Sequence, residues 1–221
     1  MAVKAYLFDS YGTLFDVYSV SRQCEEKYPE KGEQLSKDWR ELQLQYAFLS
    51  QILQQYEPFD EITKKALMAA LDRQKILYEE ADAEELSKAY EKLEPFEETK
   101  KVLSALQDST VMTFSNGTHG MLQPLIKHHG LESLLGIISA DEIRQYKPSP
   151  AAYQYALDKL GLNKKEIVFV SSNQWDITGA ASFGFQTVWI NRKEEPTSHL
   201  GFVPDLVLTS LERLPEEKPP Q

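Results

Sequence analysis

Cysteine occurs once, at Cys24, so no intramolecular disulfide can form and a cysteine-rich metal site is excluded. No apolar run approaches the ~20 residues that cross a bilayer. The opening segment, MAVKAYLFDSYGTLFD, lacks a basic n-region followed by an apolar h-region, so no signal peptide is expected and the cytoplasm is the expected compartment. Gly/Ser-rich linkers, internal repeats and low-complexity tracts are missing; only the tail, 215–221, reads as a frayed end. Basic runs are missing too. Lys and Arg number 24 against 34 Asp and Glu, a formal net charge of -10, so neither nucleic acid nor an anionic membrane is an expected partner. What is present is ordinary globular composition, 42% hydrophobic and 26% charged. The 221 residues suffice for one domain or a domain with a smaller insert.

Short apolar runs rich in β-branched or aromatic residues stand at 3–8, 110–114, 135–139, 167–170, 187–190 and 206–208. Helical patterns at 151–160 and 176–183 lie between the later runs, with turns expected at Gly161, Gly179 and Gly184. Strand and helix in alternation predict an α/β fold with a Rossmann-like, doubly wound parallel sheet. The stretch 15–95 has no convincing strand. Its Leu35, Trp39, Leu42, Tyr46, Leu49 and Leu53 recur at helical spacing, so it reads as an inserted helical cap on a core formed by 1–14 and 96–221. The block carries 11 basic and 18 acidic residues. An anionic ligand must therefore be held by a few specific cations.

Ligands of open parallel sheets bind at the carboxyl ends of the strands. There the sequence has Asp9; Ser115 and Asn116; Lys147 ahead of Pro148; and Ser171, Ser172, Asn173 and Asp176. Each has a plainer reading as well. Asp9 reads as a strand-end residue, Ser115-Asn116-Gly117 as a turn, Lys147 as an exposed loop lysine, and Asp176 as a helix N-cap. Arg40 reads as a surface partner of Asp38 or Glu41, and Tyr153 as core packing.

The order D-x-x-G-T-L, S-N, K-P and a final acidic loop resembles the haloacid dehalogenase superfamily, and the match spans essentially the whole chain. The segments Phe8-Asp9-Ser10-Tyr11-Gly12-Thr13-Leu14-Phe15-Asp16, Trp39-Arg40, Ser115-Asn116-Gly117, Tyr146-Lys147-Pro148 and Val170-Ser171-Ser172-Asn173-Gln174-Trp175-Asp176 resemble the L-2-haloacid dehalogenases in particular. The resemblance implies hydrolysis of L-2-haloacids to D-2-hydroxy acids, with Asp9 as the nucleophile of a covalent ester. It implies that Arg40 and Asn116 receive the halide, and that Ser115, Lys147 and the amides of Ser10 and Tyr11 hold the carboxylate. Asp176, with Asn173, Ser171, Thr13 and Lys147, positions the hydrolytic water, and Tyr153 matches a further polar position. Leu44, Phe59 and Trp175 form the apolar wall. A homodimer is also implied.

Phosphatases of the superfamily resemble D-x-D-x-T, whose second Asp protonates the leaving group. Tyr11 stands there, and the last motif offers one carboxylate, Asp176, a poor set for Mg²⁺. A halide needs neither service, so no metal and no cofactor are expected. The rivals are a phosphatase of the superfamily and a non-catalytic receiver-like module. Ser10 and Glu41 depart from the family's pattern. Cys24 reads as packing, and His119, His128 and His129 as surface or interface residues.

Overall fold

The computed structural model describes residues 2–217 and 219, so 218, 220 and 221 of the expected frayed tail lie outside the described residues. Six strands form one parallel sheet in the order β3-β2-β1-β4-β5-β6: β1 (Ala5–Phe8), β2 (Thr110–Ser115), β3 (Gly136–Ser139), β4 (Ile167–Ser171), β5 (Gln186–Ile190) and β6 (Leu206–Leu208). The expected α/β, doubly wound sheet is the observed one. Every residue of β1 and β4 is buried, because helices cover both faces. Side chains alternate across β1: Ala5 and Leu7 join a cluster with Phe169, Phe185, Ile177 and Tyr153, while Tyr6 and Phe8 join one with Val168, Leu103 and Leu122.

Helices α7 (Pro150–Leu160) and α8 (Gln174–Phe183) lie on the first of these faces, and α5 (Thr99–Ala105) and α6 (His119–His128) on the second. Gly161 and Gly184 cap α7 and α8 in left-handed conformations, as their turn readings predict. Gly179 does not turn the chain; it sits inside α8. A Cβ there would stand 2.5 Å from the Tyr153 hydroxyl oxygen and 2.6 Å from Pro148 Cβ, so the glycine serves close packing of α8 against α7.

Between β1 and α5 come α1 (Ser21–Lys27), α2 (Gly32–Ile52), α3 (Phe59–Arg73) and α4 (Glu80–Ser87). The chain leaves the sheet and returns side by side: Asp16 N donates to Glu94 O at 2.8 Å and Phe96 N to Leu14 O at 3.0 Å. Leu35, Trp39 and Leu42 of α2 are buried, but Leu49 and Leu53 are 45% and 65% exposed. The expected stripe thus ends part-way along α2. Beyond it, Gln51 bonds Tyr146 N and Gln145 of the core, and the other face looks outward. No helix among the described residues is long and apolar enough to cross a membrane.

Candidate active site

The sheet's order reverses between β1 and β4, which opens a crevice at their carboxyl ends. Phe8 is in register with both Thr113 and Val170, so Asp9 emerges beside Ser171, with Ser115 one residue further along β2. The turn after Asp9 closes tightly, with the N–H groups of Thr13, Leu14 and Phe15 all donating to Ser10 O. Gly12 supplies the φ of +89° that this turn needs. Thr13 is thereby carried back over Asp9.

The two oxygens of Asp9 are held differently. Oδ2 accepts from Thr13 Oγ1 at 3.1 Å, Ser171 Oγ at 3.2 Å and Asn173 Nδ2 at 2.6 Å. Oδ1 accepts from Lys147 Nζ at 2.8 Å. The Lys147 ammonium is 1% exposed, and its other hydrogens go to Asp176 Oδ2 at 2.5 Å and Phe114 O at 2.9 Å. Asn116 clamps the backbone there, accepting from Lys147 N at 2.7 Å and donating to Lys147 O at 3.3 Å. One amide hydrogen of Asn116 remains for a ligand.

Asp176 is fully buried, and its Oδ1 accepts from the Tyr153 hydroxyl at 2.6 Å. Burial pushes its pKa up to about 6; Lys147 pulls down and Asp9 pushes up. Burial works against the Lys147 charge as well, but Asp176 and Asp9 outweigh it and hold its pKa above the ordinary value. Two carboxylates therefore share one ammonium. Burial, then Asp176, raises Tyr153 well above the usual phenol range, so it stays a donor.

A cavity of about 10 Å³, walled by Asp9, Tyr11, Arg40, Leu44, Phe59, Ser115, Asn116, Lys147 and Trp175, opens in front of Asp9. That is room for about one water. A larger cleft of about 630 Å³ adjoins it and shares Arg40, Leu44 and Trp175. Arg40 is 6% exposed and pairs with no carboxylate among the described residues; its guanidinium donates to Gln43 Oε1 at 2.7 Å and Tyr11 O at 3.5 Å. Among the described residues no three His, Cys, Asp or Glu side chains gather as metal ligands. The cation between the two carboxylates is an ammonium.

Every expected site residue but Ser10 and Tyr153 either lines the cavity or bonds to a residue that does, and Tyr153 is one step further back, bonded to Asp176 behind Lys147. Ser10 is buried behind the turn with its hydroxyl unpartnered. Three readings change. Arg40 is no surface partner of Asp38, which instead meets Gln34, Gln74 and Arg73. Asp176 is not an N-cap; Asn173 caps α8, and the Asp176 carboxylate turns to Lys147 and Tyr153. Lys147, with its three hydrogens committed, has none left for a bound carboxylate. Tyr153 combines its two readings, packing on Phe114 and Phe169 while its hydroxyl reaches Asp176. Gln43, Thr63 and Arg192 went unrecognised in the sequence. Arg192 donates to Thr13 O and Ser172 Oγ and pairs with Glu98 at 2.8 Å, bracing the turn. Gln43 left one signal, a polar residue beside Leu42 on the inward side of α2.

A family model described as a haloacid dehalogenase-like hydrolase matches residues 3–184. The chain belongs to that family. Among similar haloacid dehalogenase-like hydrolases, haloacetate dehalogenase H-2 of Moraxella sp. (strain B) is 38% identical over 96% of each chain. The (S)-2-haloacid dehalogenase 2 of Pseudomonas sp. (strain CBS-3) is 37% identical over 96% of this chain and 94% of its own. The structure of L-2-haloacid dehalogenase from Xanthobacter autotrophicus with chloropropionic acid covalently bound superposes with a TM-score of 0.92, at 32% identity over 97% of each chain.

Proposed function

We propose that the protein hydrolyses L-2-haloacids to D-2-hydroxy acids and halide, through an ester on Asp9. The observation that carries this reading is a buried guanidinium, Arg40, that lines the same cavity as Asp9 and pairs with no carboxylate among the described residues. Asp9 Oδ1 attacks C2 from the side opposite the halogen. The C–X bond breaks, and the halide leaves with the electron pair toward Arg40 and the remaining Asn116 hydrogen. Ser115, whose hydroxyl accepts from Gly117 N and keeps its proton for a ligand, and the amides of Ser10 and Tyr11 bind the substrate carboxylate. Leu44, Phe59 and Trp175 enclose the alkyl group.

Water then adds to Asp9 Cγ. Its proton passes to Asp176, whose pKa near 6 suits a base at neutral pH. Charge developing on Asp9 Oδ2 meets the three donors Thr13, Ser171 and Asn173, which act as an oxyanion hole. Collapse expels the alkoxide, which takes the proton from Asp176. Asp9, left as the acid, releases its remaining proton to solvent. The haloacid exceeds one water in size, so it enters from the larger cleft as Leu44 and Trp175 move apart.

In this reading 15–95 is a cap hinged where 14–16 and 94–96 run side by side. Exposed Leu49 and Ile52 of α2, with Leu53 just past its end, offer an apolar patch to a second copy, giving the homodimer. Sedimentation at micromolar concentration tests that assembly. The decisive experiment for the mechanism is single turnover in H₂¹⁸O with enzyme in excess. Label is expected on the Asp9 peptide with unlabelled product; label chiefly in first-turnover product overturns the ester.

A further inference from the structure

Arg40 reaches the cavity from a helix buried in apolar packing, and a chain of hydrogen bonds leads back from it. Its Nη1 donates to Gln43 Oε1 at 2.7 Å; Gln43 Nε2 donates to Thr63 Oγ1 at 2.7 Å; Thr63 Oγ1 donates to Phe59 O at 2.6 Å. Tyr90 adds a weaker donor to Gln43 Oε1 at 3.4 Å, and Trp39 Nε1 holds Thr63 O at 2.8 Å. Gln43 and Thr63 are 0% and 1% exposed, so the chain runs without solvent.

The order of donors settles which way the amide faces. A threonine hydroxyl has one hydrogen, and that of Thr63 is spent on Phe59 O. It can only accept from Gln43, which must present its NH₂ to Thr63 and its oxygen to Arg40. The amide thus fixes the guanidinium in place while contributing no charge. A carboxylate here would orient Arg40 equally well, but as a buried ion pair it would cancel the field that an anion in the cavity feels.

We infer that Gln43 is a positioning residue for Arg40, selected as neutral so that the arginine's charge stays available to the departing halide. The inference rests on the haloacid reading above and names a residue through which that reaction is controlled. Halide charge develops mainly in the transition state, so the effect falls on kcat more than on KM.

Two substitutions separate this role from a structural one. Gln43→Glu keeps an acceptor for Arg40, and the Thr63 hydroxyl can turn from Phe59 O to donate to it, at the cost of the free charge. Gln43→Met, similar in volume, breaks both bonds but leaves Arg40 unpaired. The expected order of kcat is wild type, then Met about tenfold lower, then Glu about 100-fold lower, while Glu melts no lower than Met. A purely structural Gln43 gives the reverse order, with activity following stability, and that result overturns the inference. Bromide-soaked crystals supply a readout free of turnover. An anomalous bromide peak against Arg40 is expected in the wild type and absent in Gln43→Glu; equal peaks in both overturn the inference. If wild type bound bromide with this dependence on residue 43 yet released no halide from haloacids, the functional reading would fall, while the positioning of Arg40 for an anion by Gln43 would stand.

Discussion

Removing the Lys147 ammonium leaves two buried carboxylates facing one another without a cation. Asp9 is 4% exposed and Asp176 0%, and both rest on the single Nζ. Lys147→Met keeps most of the side chain's length and apolar packing against Phe114, Phe169 and Trp175. Breaking a buried pair by deleting one partner costs about 3–5 kcal/mol. For a chain of 221 residues that amounts to a melting temperature lower by about 6–20 °C. The penalty must depend on pH, because one carboxylate can escape it by binding a proton. The folded-state pKa of Asp176 is already raised to about 6 from an ordinary 3.8, and the substitution raises it further. Below the unfolded value both states hold the proton and this part of the penalty vanishes. As pH climbs through the window up to the folded pKa, the unfolded state gives up its proton first and stability falls by up to about 1.4 kcal/mol per pH unit. Urea unfolding at pH 4.5 and pH 8 therefore gives a small loss in acid and the full loss in base. Adding Asp176→Asn to Lys147→Met recovers most of the stability at pH 8 while leaving the enzyme inactive. An equal loss at both pH values, or no recovery in the double variant, refutes the shared-ammonium reading.

Gly179→Ala should lower both the melting temperature and kcat, the latter by at least about tenfold, because the new Cβ meets Tyr153 Oη at 2.5 Å and displaces it from Asp176. An alanine variant more stable than wild type by the usual helix increment of about 1 kcal/mol, and fully active, contradicts that packing. The rate of hydrolysis of the Asp9 ester, read as product formation after the first halide has left, should climb with pH as Asp176 loses its proton, with a midpoint of about 6; a profile flat down to pH 4.5 removes Asp176 as the base. Turnover should survive exhaustive chelation and gain nothing from Mg²⁺, since the ammonium of Lys147 holds the place between the carboxylates. Hydrolysis of p-nitrophenyl phosphate with Mg²⁺ at a comparable rate would favour the phosphatase rival.

All six strands were legible in the sequence, because buried parallel strands are short apolar runs and Gly161 and Gly184 mark the helix ends between them. The gathering of Asp9, Ser115 and Ser171 at one edge followed from the parallel sheet, since the carboxyl ends of its strands share one edge; the order that makes β1 the neighbour of both β2 and β4 came from the tertiary structure. Gly179 was misread because a glycine signals a turn and a close helix crossing alike, and only the approach of Tyr153 and Pro148 distinguishes the two. Leu49 and Leu53 were misread because helical periodicity marks an apolar face without saying what covers it. The roles of Lys147, Asp176 and Arg40 were decided by tertiary structure. A lysine's three hydrogens and an arginine's missing partner are facts about neighbours 29 to 138 residues away along the chain, or about their absence. Gln43 shows the limit most plainly: in the sequence it is one polar residue on a mostly amphipathic helix. Its meaning comes from Thr63, whose single hydroxyl hydrogen is committed elsewhere, and no local pattern carries that information.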